Sequence, residues 1–102
     1  MSASFEPQTI PGDDTAIAET VVLPKHLHAR PAGQLAQLAT RYQGTTIEIL
    51  ASATGKKANA RSVLAVMALG AVTGTAITVT ATGPDAGAAI AGAVEILLEP
   101  ED

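Results

Sequence analysis

The chain has 102 residues, of which 47% are hydrophobic and 16% charged, so the composition favours one folded domain and excludes a largely disordered chain. A net charge of −4 argues against nucleic-acid binding, which depends on Lys and Arg to neutralise phosphates. The absence of cysteine excludes a disulfide framework and a thiolate metal site. No carboxylate cluster lies near the two histidines, so we predict no metal site from them either.

The N-terminal residues 1–14 are predicted to form a flexible polar tail, because they contain prolines, a glycine and an Asp pair without hydrophobic periodicity. The folded domain is then expected over residues 15–102. The tail lacks the basic start and apolar middle of a signal peptide. No apolar run in the chain reaches the length of a membrane span. We therefore expect a cytoplasmic protein without membrane insertion.

The first half of the domain is predicted to contain three strands and a helix. Residues 15–23 alternate and are rich in β-branched side chains, which is typical of a strand. Residues 29–42 place apolar side chains at helical spacing, and Gly44 follows as a stop signal. Residues 45–50 alternate as a half-buried strand, and a turn at Gly55 leads to the short return strand KKANA. This order predicts a β-hairpin after the helix.

The second half is predicted to contain two helices around one strand. Ser62 is a strong N-cap residue for a short apolar helix that Gly70 closes. A strand over about residues 76–81 follows, and then Pro84 and Asp85 are predicted to begin the last helix in its first turn. That helix is predicted to have a small-residue face, formed by Ala88, Ala89, Gly92, Ala93, Ile96 and Leu97. The order β-α-β-β-α-β-α with short connections predicts an α+β fold, with helices on one face of an antiparallel sheet.

The stretch KHLHARPAG carries the chemistry-bearing residues of the chain. His28 is predicted to stand directly before a helix, whose first amides lack intrahelical partners and whose dipole attracts anions. Ala29 and Pro31 are predicted to form that first turn and to support a phosphate there. Arg30 contributes a planar guanidinium that suits phosphate oxygens. A neutral imidazole has a lone pair that can attack phosphorus, so we predict that His28 carries a phosphoryl group stabilised by Arg30.

Two motifs together resemble those of HPr, the histidine-containing phosphocarrier of the bacterial sugar phosphotransferase system. They are LHARPAGQLAQLATRY around His28 and GKKANARSVLAVMALGA around Ser62, and the resemblance spans about residues 15–98. It implies an open-faced β-sandwich, in which three helices cover one face of a four-stranded antiparallel sheet. It also implies that Nδ1 of His28 accepts phosphate from enzyme I and passes it to enzyme II A domains. Such a protein is a carrier rather than a free-standing turnover enzyme, and it needs no cofactor.

The resemblance further assigns a regulatory role to Ser62 as the target of HPr kinase/phosphorylase, although helix capping alone also explains a serine there. We expect an apolar docking surface at Gly33, Leu64 and Met67, and a monomeric protein. His26 stands where the family commonly has glycine, which can take backbone angles that a histidine enters only at a cost. We predict that His26 is an exposed loop residue.

Other functions remain open from the sequence. One is a paralogous phosphocarrier that serves nitrogen regulation or a dihydroxyacetone kinase. Another is a non-catalytic regulatory binding protein, which the presence of His28 disfavours. A third is a plain α+β domain that binds an anion at the helix end without forming a covalent phosphate. The sequence identifies neither the sugar nor the downstream acceptor.

Overall fold

The computed structural model describes residues 15–99, which contain four strands and three helices in the order β-α-β-β-α-β-α. The elements are β1 (Thr15–Val22), α1 (Ala29–Arg41), β2 (Thr46–Ala51), β3 (Lys56–Asn59), α2 (Val63–Ala68), β4 (Ala76–Gly83) and α3 (Ala86–Leu98). The predicted element order is confirmed, with small shifts at the ends of individual elements. The tail predicted at residues 1–14 lies outside the described residues.

The four strands form one antiparallel sheet in the order β1-β4-β2-β3. Its buried face is aliphatic, because side chains alternate along each strand and one set faces the helices. That set is Val21, Ile47, Ile49, Ala51, Ala58, Ile77, Val79 and Ala81. The opposite face carries threonines, and across it the hydroxyls of Thr20 and Thr78 lie 2.8 Å apart. The helices therefore cover one face only, which confirms the predicted open-faced sandwich.

Helix α3 packs across β1, β4 and β2, and α1 packs against both α2 and α3. The buried side chains of α3 are Ala86, Ala89, Ile90, Ala93 and Leu97. Of the predicted small-residue face, Ala89, Ala93 and Leu97 are buried, whereas Ala88 is exposed. The longest helices have 13 residues, and no helix within residues 15–99 has the length and hydropathy to cross a membrane.

The ends of two helices differ from the prediction. Pro84 lies before α3 rather than in its first turn, and Asp85 is the N-cap residue. The Asp85 side chain makes no capping hydrogen bond; instead its backbone N–H donates to the buried hydroxyl of Thr45 at 3.1 Å. Helix α1 ends at Arg41, one residue before its predicted end, and the C-cap residue Tyr42 donates its N–H to the carbonyl of Ala39 at 3.3 Å. The start of α3 thus has a contact across 40 residues, which the local sequence does not indicate.

Candidate functional site

The segment between β1 and α1 continues the alternation of the strand. Its buried side chains are Leu23, Lys25 and Leu27, and its exposed side chains are Pro24, His26 and His28. The N–H of His28 donates to the carbonyl of His26 at 3.0 Å, which makes a tight three-residue turn about Leu27. Both imidazoles consequently leave the backbone on the same side. Their ring centroids are 5.4 Å apart, and the ring planes are nearly perpendicular at 89°.

This histidine segment is hydrogen-bonded to residues 70–75, which lie in the connection between α2 and β4. The N–H of Leu27 donates to the carbonyl of Ala71 at 3.0 Å, and the N–H of Gly74 donates to the carbonyl of Leu23 at 2.8 Å. A third bond, at 2.9 Å, joins the N–H of Leu23 to the carbonyl of Thr75. The backbone ladder of the sheet thus extends past the ends of β1 and β4 and holds the two loops side by side.

His28 is the N-cap residue of α1, with an extended backbone at φ −82° and ψ −172°. The first intrahelical bond runs from the N–H of Ala32 to the carbonyl of His28 at 3.1 Å, so the amides of Ala29 and Arg30 precede this ladder. The side chains of His28 and Arg30 are exposed. Pro31 is buried and has no N–H, so it favours the helix start through its fixed φ. The exposed ring thus stands at the electropositive end of a 13-residue helix.

Ser62 is the N-cap residue of α2, as predicted. Its hydroxyl accepts a hydrogen bond from the N–H of Ala65 at 3.1 Å, and its side chain is exposed. Because α2 has only six residues, this cap stabilises a substantial part of the helix. The hydroxyl is at once a structural group and a solvent-accessible one.

Three large hydrophobic side chains on and after α2 are exposed to solvent. Leu64 is 79% exposed and Met67 is 40% exposed, while Val66 between them is buried. Val72, in the 70–75 connection, is 44% exposed and was not predicted to be a site residue. On α1, Gly33 is half-buried, and a Cβ atom at this position would have no neighbouring heavy atom within 4 Å.

His26 is exposed, as predicted, but it is not an isolated loop residue. Its Nδ1 accepts a hydrogen bond from the backbone N–H of Thr73 at 3.0 Å, and its ring contacts that of His28. The strand-like alternation of residues 23–28 was the sequence signal that both rings share one side. No group of three or more His, Cys, Asp or Glu side chains within residues 15–99 is arranged to hold a metal ion, so this pair has no third protein ligand there.

Comparison with known proteins places this site in a family. The model of the family described as "PTS HPr component phosphorylation site" matches residues 17–99. A multiphosphoryl transfer protein of Escherichia coli O157:H7 is 40% identical over 77 residues, which are 74% of this chain and 20% of that protein. The chain thus spans about one fifth of the length of this curated relative.

Solved structures agree with the family match. A phosphocarrier protein HPr from Bacillus anthracis str. Ames is 32% identical with a TM-score of 0.71, over 80% of this chain and 96% of that one. The histidine-containing phosphocarrier protein of a Mycoplasma is 33% identical with a TM-score of 0.68, over 83% of this chain and 99% of that one. Together with the strand order and the exposed histidine at the start of α1, these matches show that the chain belongs to the HPr family of phosphocarrier proteins of the phosphotransferase system.

Proposed function

We propose that this protein accepts a phosphoryl group on Nδ1 of His28 from phosphorylated enzyme I and delivers it to the A domains of sugar-specific enzymes II. One observation carries the proposal: in a chain of the HPr family, the ring of His28 is exposed at the N-cap of α1. A carrier must offer the same atom to two different proteins in turn. An exposed ring on a helix end meets that requirement, whereas a ring enclosed in a pocket would not.

Phosphoryl transfer requires an imidazole with a free lone pair and an environment that stabilises the negative charge of the phosphoryl group. The neutral ring of His28 with its proton on Nε2 has a lone pair on Nδ1. This lone pair forms a bond to phosphorus while the bond from phosphorus to the donor histidine of enzyme I breaks, and its electron pair returns to the donor ring. Delivery is the same step with His28 as the leaving group and a nucleophile of the A domain as the acceptor.

The start of α1 supplies the stabilising charge. The amides of Ala29 and Arg30 precede the intrahelical ladder, and the helix dipole adds partial positive charge at this end. The guanidinium of Arg30 adds a full positive charge that can donate to phosphoryl oxygens. Charge-assisted hydrogen bonds of this kind contribute about 1.5–3 kcal/mol each. Stabilisation on this scale favours loading of the ring while leaving the phosphoryl group available for onward transfer.

Labelled phosphoenolpyruvate provides the direct test. The protein is incubated with enzyme I and the labelled donor, and the recovered protein is treated with acid or with base. We expect label that acid removes and base leaves in place, which is the behaviour of phosphohistidine. The variant His28→Ala should take up no label, while Lys57→Ala, on the exposed edge strand β3, should label like the wild type. Failure of the folded wild-type protein to take up label would exclude the proposal.

The alternative functions separate in the same experiment when a sugar-specific enzyme II A domain is added after labelling. A paralogue that serves nitrogen regulation or a dihydroxyacetone kinase would take up label from enzyme I but deliver it poorly to sugar-specific A domains. A non-catalytic regulatory protein, or a domain that merely binds an anion, would form no acid-labile phosphate at all. The exposed imidazole at the helix start favours the carrier over both of the latter.

Ser62 is the proposed regulatory site, phosphorylated by HPr kinase/phosphorylase. Its exposed hydroxyl supports access by a kinase, and its position beside Leu64 supports an effect on partner docking. Phosphorylation would add close to two negative charges at the N-terminus of α2, where the helix tolerates them. The new charge would then act on an approaching protein rather than on the fold. Incubation with the kinase and labelled ATP should label the wild type and leave Ser62→Ala unlabelled.

The proposed docking surface consists of Gly33, Leu64, Met67 and Val72. Leu64 and Met67 lie one turn apart on α2, which packs against α1, the helix that His28 begins. Methionine adapts to different partner surfaces, which suits a carrier that meets both a donor and several acceptors. We propose that enzyme I and enzyme II A domains bind the monomeric carrier through this surface.

A further inference from the structure

We propose that His26 is a positioning residue for the reactive ring of His28 and that Thr73 holds it in place from the neighbouring loop. The inference rests on the proposed function, since it concerns the ring that would carry the phosphoryl group. It differs from the sequence expectation, in which His26 was only an exposed loop residue. Three observations support the inference. They are the relative orientation of the two rings, the hydrogen bond from Thr73 to His26, and the backbone hydrogen bonds between the histidine segment and residues 70–75.

The two rings meet in a defined geometry. Their centroids lie 5.4 Å apart and their planes cross at 89°, which is the edge-to-face arrangement that aromatic pairs prefer. The turn about Leu27 produces this arrangement, because it brings the two exposed positions of an alternating segment to one side while Leu27 stays buried. A perpendicular neighbour at this distance limits rotation of the His28 ring about its Cβ–Cγ bond.

The ring of His26 is itself fixed by Thr73. The backbone N–H of Thr73 donates to Nδ1 at 3.0 Å, and the Thr73 hydroxyl oxygen lies 3.4 Å from the same atom. A backbone N–H can only donate, so Nδ1 is the acceptor and the neutral His26 ring carries its proton on Nε2. The hydrogen bond therefore selects one tautomer and one orientation of the ring.

The donor amide belongs to a firmly held loop. Ala71 and Gly74, on either side of Thr73, are both bonded to the backbone of the histidine segment, at 3.0 Å and 2.8 Å. The Thr73 amide therefore cannot move far without breaking two further hydrogen bonds. His26 is thus held in a fixed position beside the ring of His28.

The fixed position of His26 has a consequence for phosphoryl transfer. The nucleophile, the phosphorus and the leaving atom must lie nearly in line, so a ring that already points correctly loses less rotational freedom in the transition state. His26 then accelerates transfer through the orientation of His28, without touching the phosphoryl group. The effect should fall on kcat rather than on the KM of enzyme I for this protein, since the proposed docking surface does not include His26.

Four variants separate the ring contact from the hydrogen bond. His26→Ala removes both, His26→Asn keeps a side-chain acceptor without a ring, and His26→Phe keeps a ring without the acceptor. Thr73→Ala removes the hydroxyl but keeps the backbone donor, so it is the matched control. In a steady-state assay with enzyme I and phosphoenolpyruvate, we expect kcat to fall roughly two- to ten-fold for Ala and Asn, the range that an aromatic pair energy implies. The kcat of His26→Phe should lie between those two values and that of the wild type. The kcat of Thr73→Ala should match that of the wild type, and KM should be the same for all four variants.

A spectroscopic measurement tests the geometry without enzyme I. Long-range ¹H–¹⁵N correlation spectra of the imidazoles should show His26 protonated at Nε2 and bare at Nδ1, in the wild type and in Thr73→Ala alike. The ¹⁵N and ¹H signals of His28 should shift in His26→Ala, while the thermal unfolding midpoint stays close to that of the wild type because His26 is exposed. His26 protonated at Nδ1 in its neutral form would overturn the inference.

The kinetic outcomes distinguish this inference from the proposed function. If the wild type forms acid-labile phosphate and His26→Ala has an unchanged kcat, the positioning role is wrong and the carrier function stands. A raised KM with an unchanged kcat would instead make His26 a docking residue and would also overturn the inference. If the folded wild type takes up no phosphate, the proposed function itself fails, and with it the role given to His26.

Discussion

The ammonium group of Lys25 donates a hydrogen bond to the carbonyl oxygen of Ile96 at 2.8 Å, although the two residues are 71 positions apart. Lys25 is 5% exposed, which is unusual for a lysine. Its partner lies in the last turn of α3, where carbonyls lack intrahelical donors and the helix dipole attracts positive charge. The Lys25 side chain thus connects the segment that carries both histidines to the C-terminal turn of α3.

Removal of the hydrogen bond between Lys25 and Ile96 should destabilise the protein. Lys25→Met keeps most of the side-chain volume but leaves the Ile96 carbonyl without its charged donor, and we expect a loss of about 1–3 kcal/mol in the free energy of unfolding. Urea denaturation measures the change. Lys57→Met, at an exposed position on β3, is the control and should change the free energy by less than about 0.5 kcal/mol. Equal effects of the two variants would show that the Lys25 bond contributes nothing.

The contact between α1 and α3 should make two glycine substitutions differ in sign. A Cβ atom at Gly92 would lie 2.8 Å from Cδ1 of Leu38, whereas one at Gly33 would meet nothing within 4 Å. Alanine improves helix propensity by up to about 1 kcal/mol at either site, but crowding at Gly92 costs roughly 1–3 kcal/mol. We therefore expect Gly33→Ala to stabilise the protein and Gly92→Ala to destabilise it by about 1 kcal/mol. Chemical denaturation of both variants tests this, and stabilisation of similar size in both would contradict it.

The backbone at Gly83 lies directly against the backbone of Gly44 and Thr45. A Cβ atom there would lie 2.7 Å from the carbonyl oxygen of Gly44 and 2.7 Å from Cα of Thr45, and φ is +143°. Backbone atoms cannot rotate away, so we expect Gly83→Ala to cost at least about 3 kcal/mol. Gly55→Ala is the matched control: φ is +75° but no atom lies within 4 Å, so only the left-handed strain of about 1–2 kcal/mol applies. Thermal unfolding should rank the two variants in this order, and a milder effect at Gly83 would count against the close approach.

Ser62 should show separable structural and regulatory effects. Ser62→Ala loses the hydrogen bond to the Ala65 amide and should destabilise the protein by about 1 kcal/mol, while Ser62→Asp retains a good N-cap residue and should not. Phosphorylation by enzyme I should respond in the opposite order. The rate should fall several-fold in Ser62→Asp, because negative charge is added beside the docking surface, and should be unchanged in Ser62→Ala. An unaltered rate in Ser62→Asp would argue against the regulatory proposal.

The docking surface can be tested by a substitution that spares the fold. Leu64 is 79% exposed, so Leu64→Ser should change the free energy of unfolding by less than about 0.5 kcal/mol. The KM of enzyme I for the variant should nevertheless rise several-fold, because the variant loses apolar area that a partner would bury. Val22→Ser is the control, since Val22 is 60% exposed but lies at the end of β1, outside the proposed surface. A similar rise in KM for both variants would remove the support for a defined surface.

The local features of the fold were predictable because their causes lie within a few residues of each other. The alternation of residues 45–50 predicted β2, and the serine before an apolar run predicted the cap that Ser62 makes to Ala65. The hairpin turn coincides with Gly55, whose φ of +75° glycine adopts without strain. The position of His28 before α1 followed from the proline and the helical periodicity after it.

The sequence by itself thus determined the order of strands and helices, the helix starts at His28 and Ser62, and the family to which the motifs are similar. Only the tertiary structure decided that His26 would meet Thr73 and that Lys25 would be buried against α3. The physical reason is distance along the chain. Periodicity and capping act between near neighbours, whereas a hydrogen bond across 47 or 71 residues exists only after the sheet has set the strand order and stacked the helices on one face.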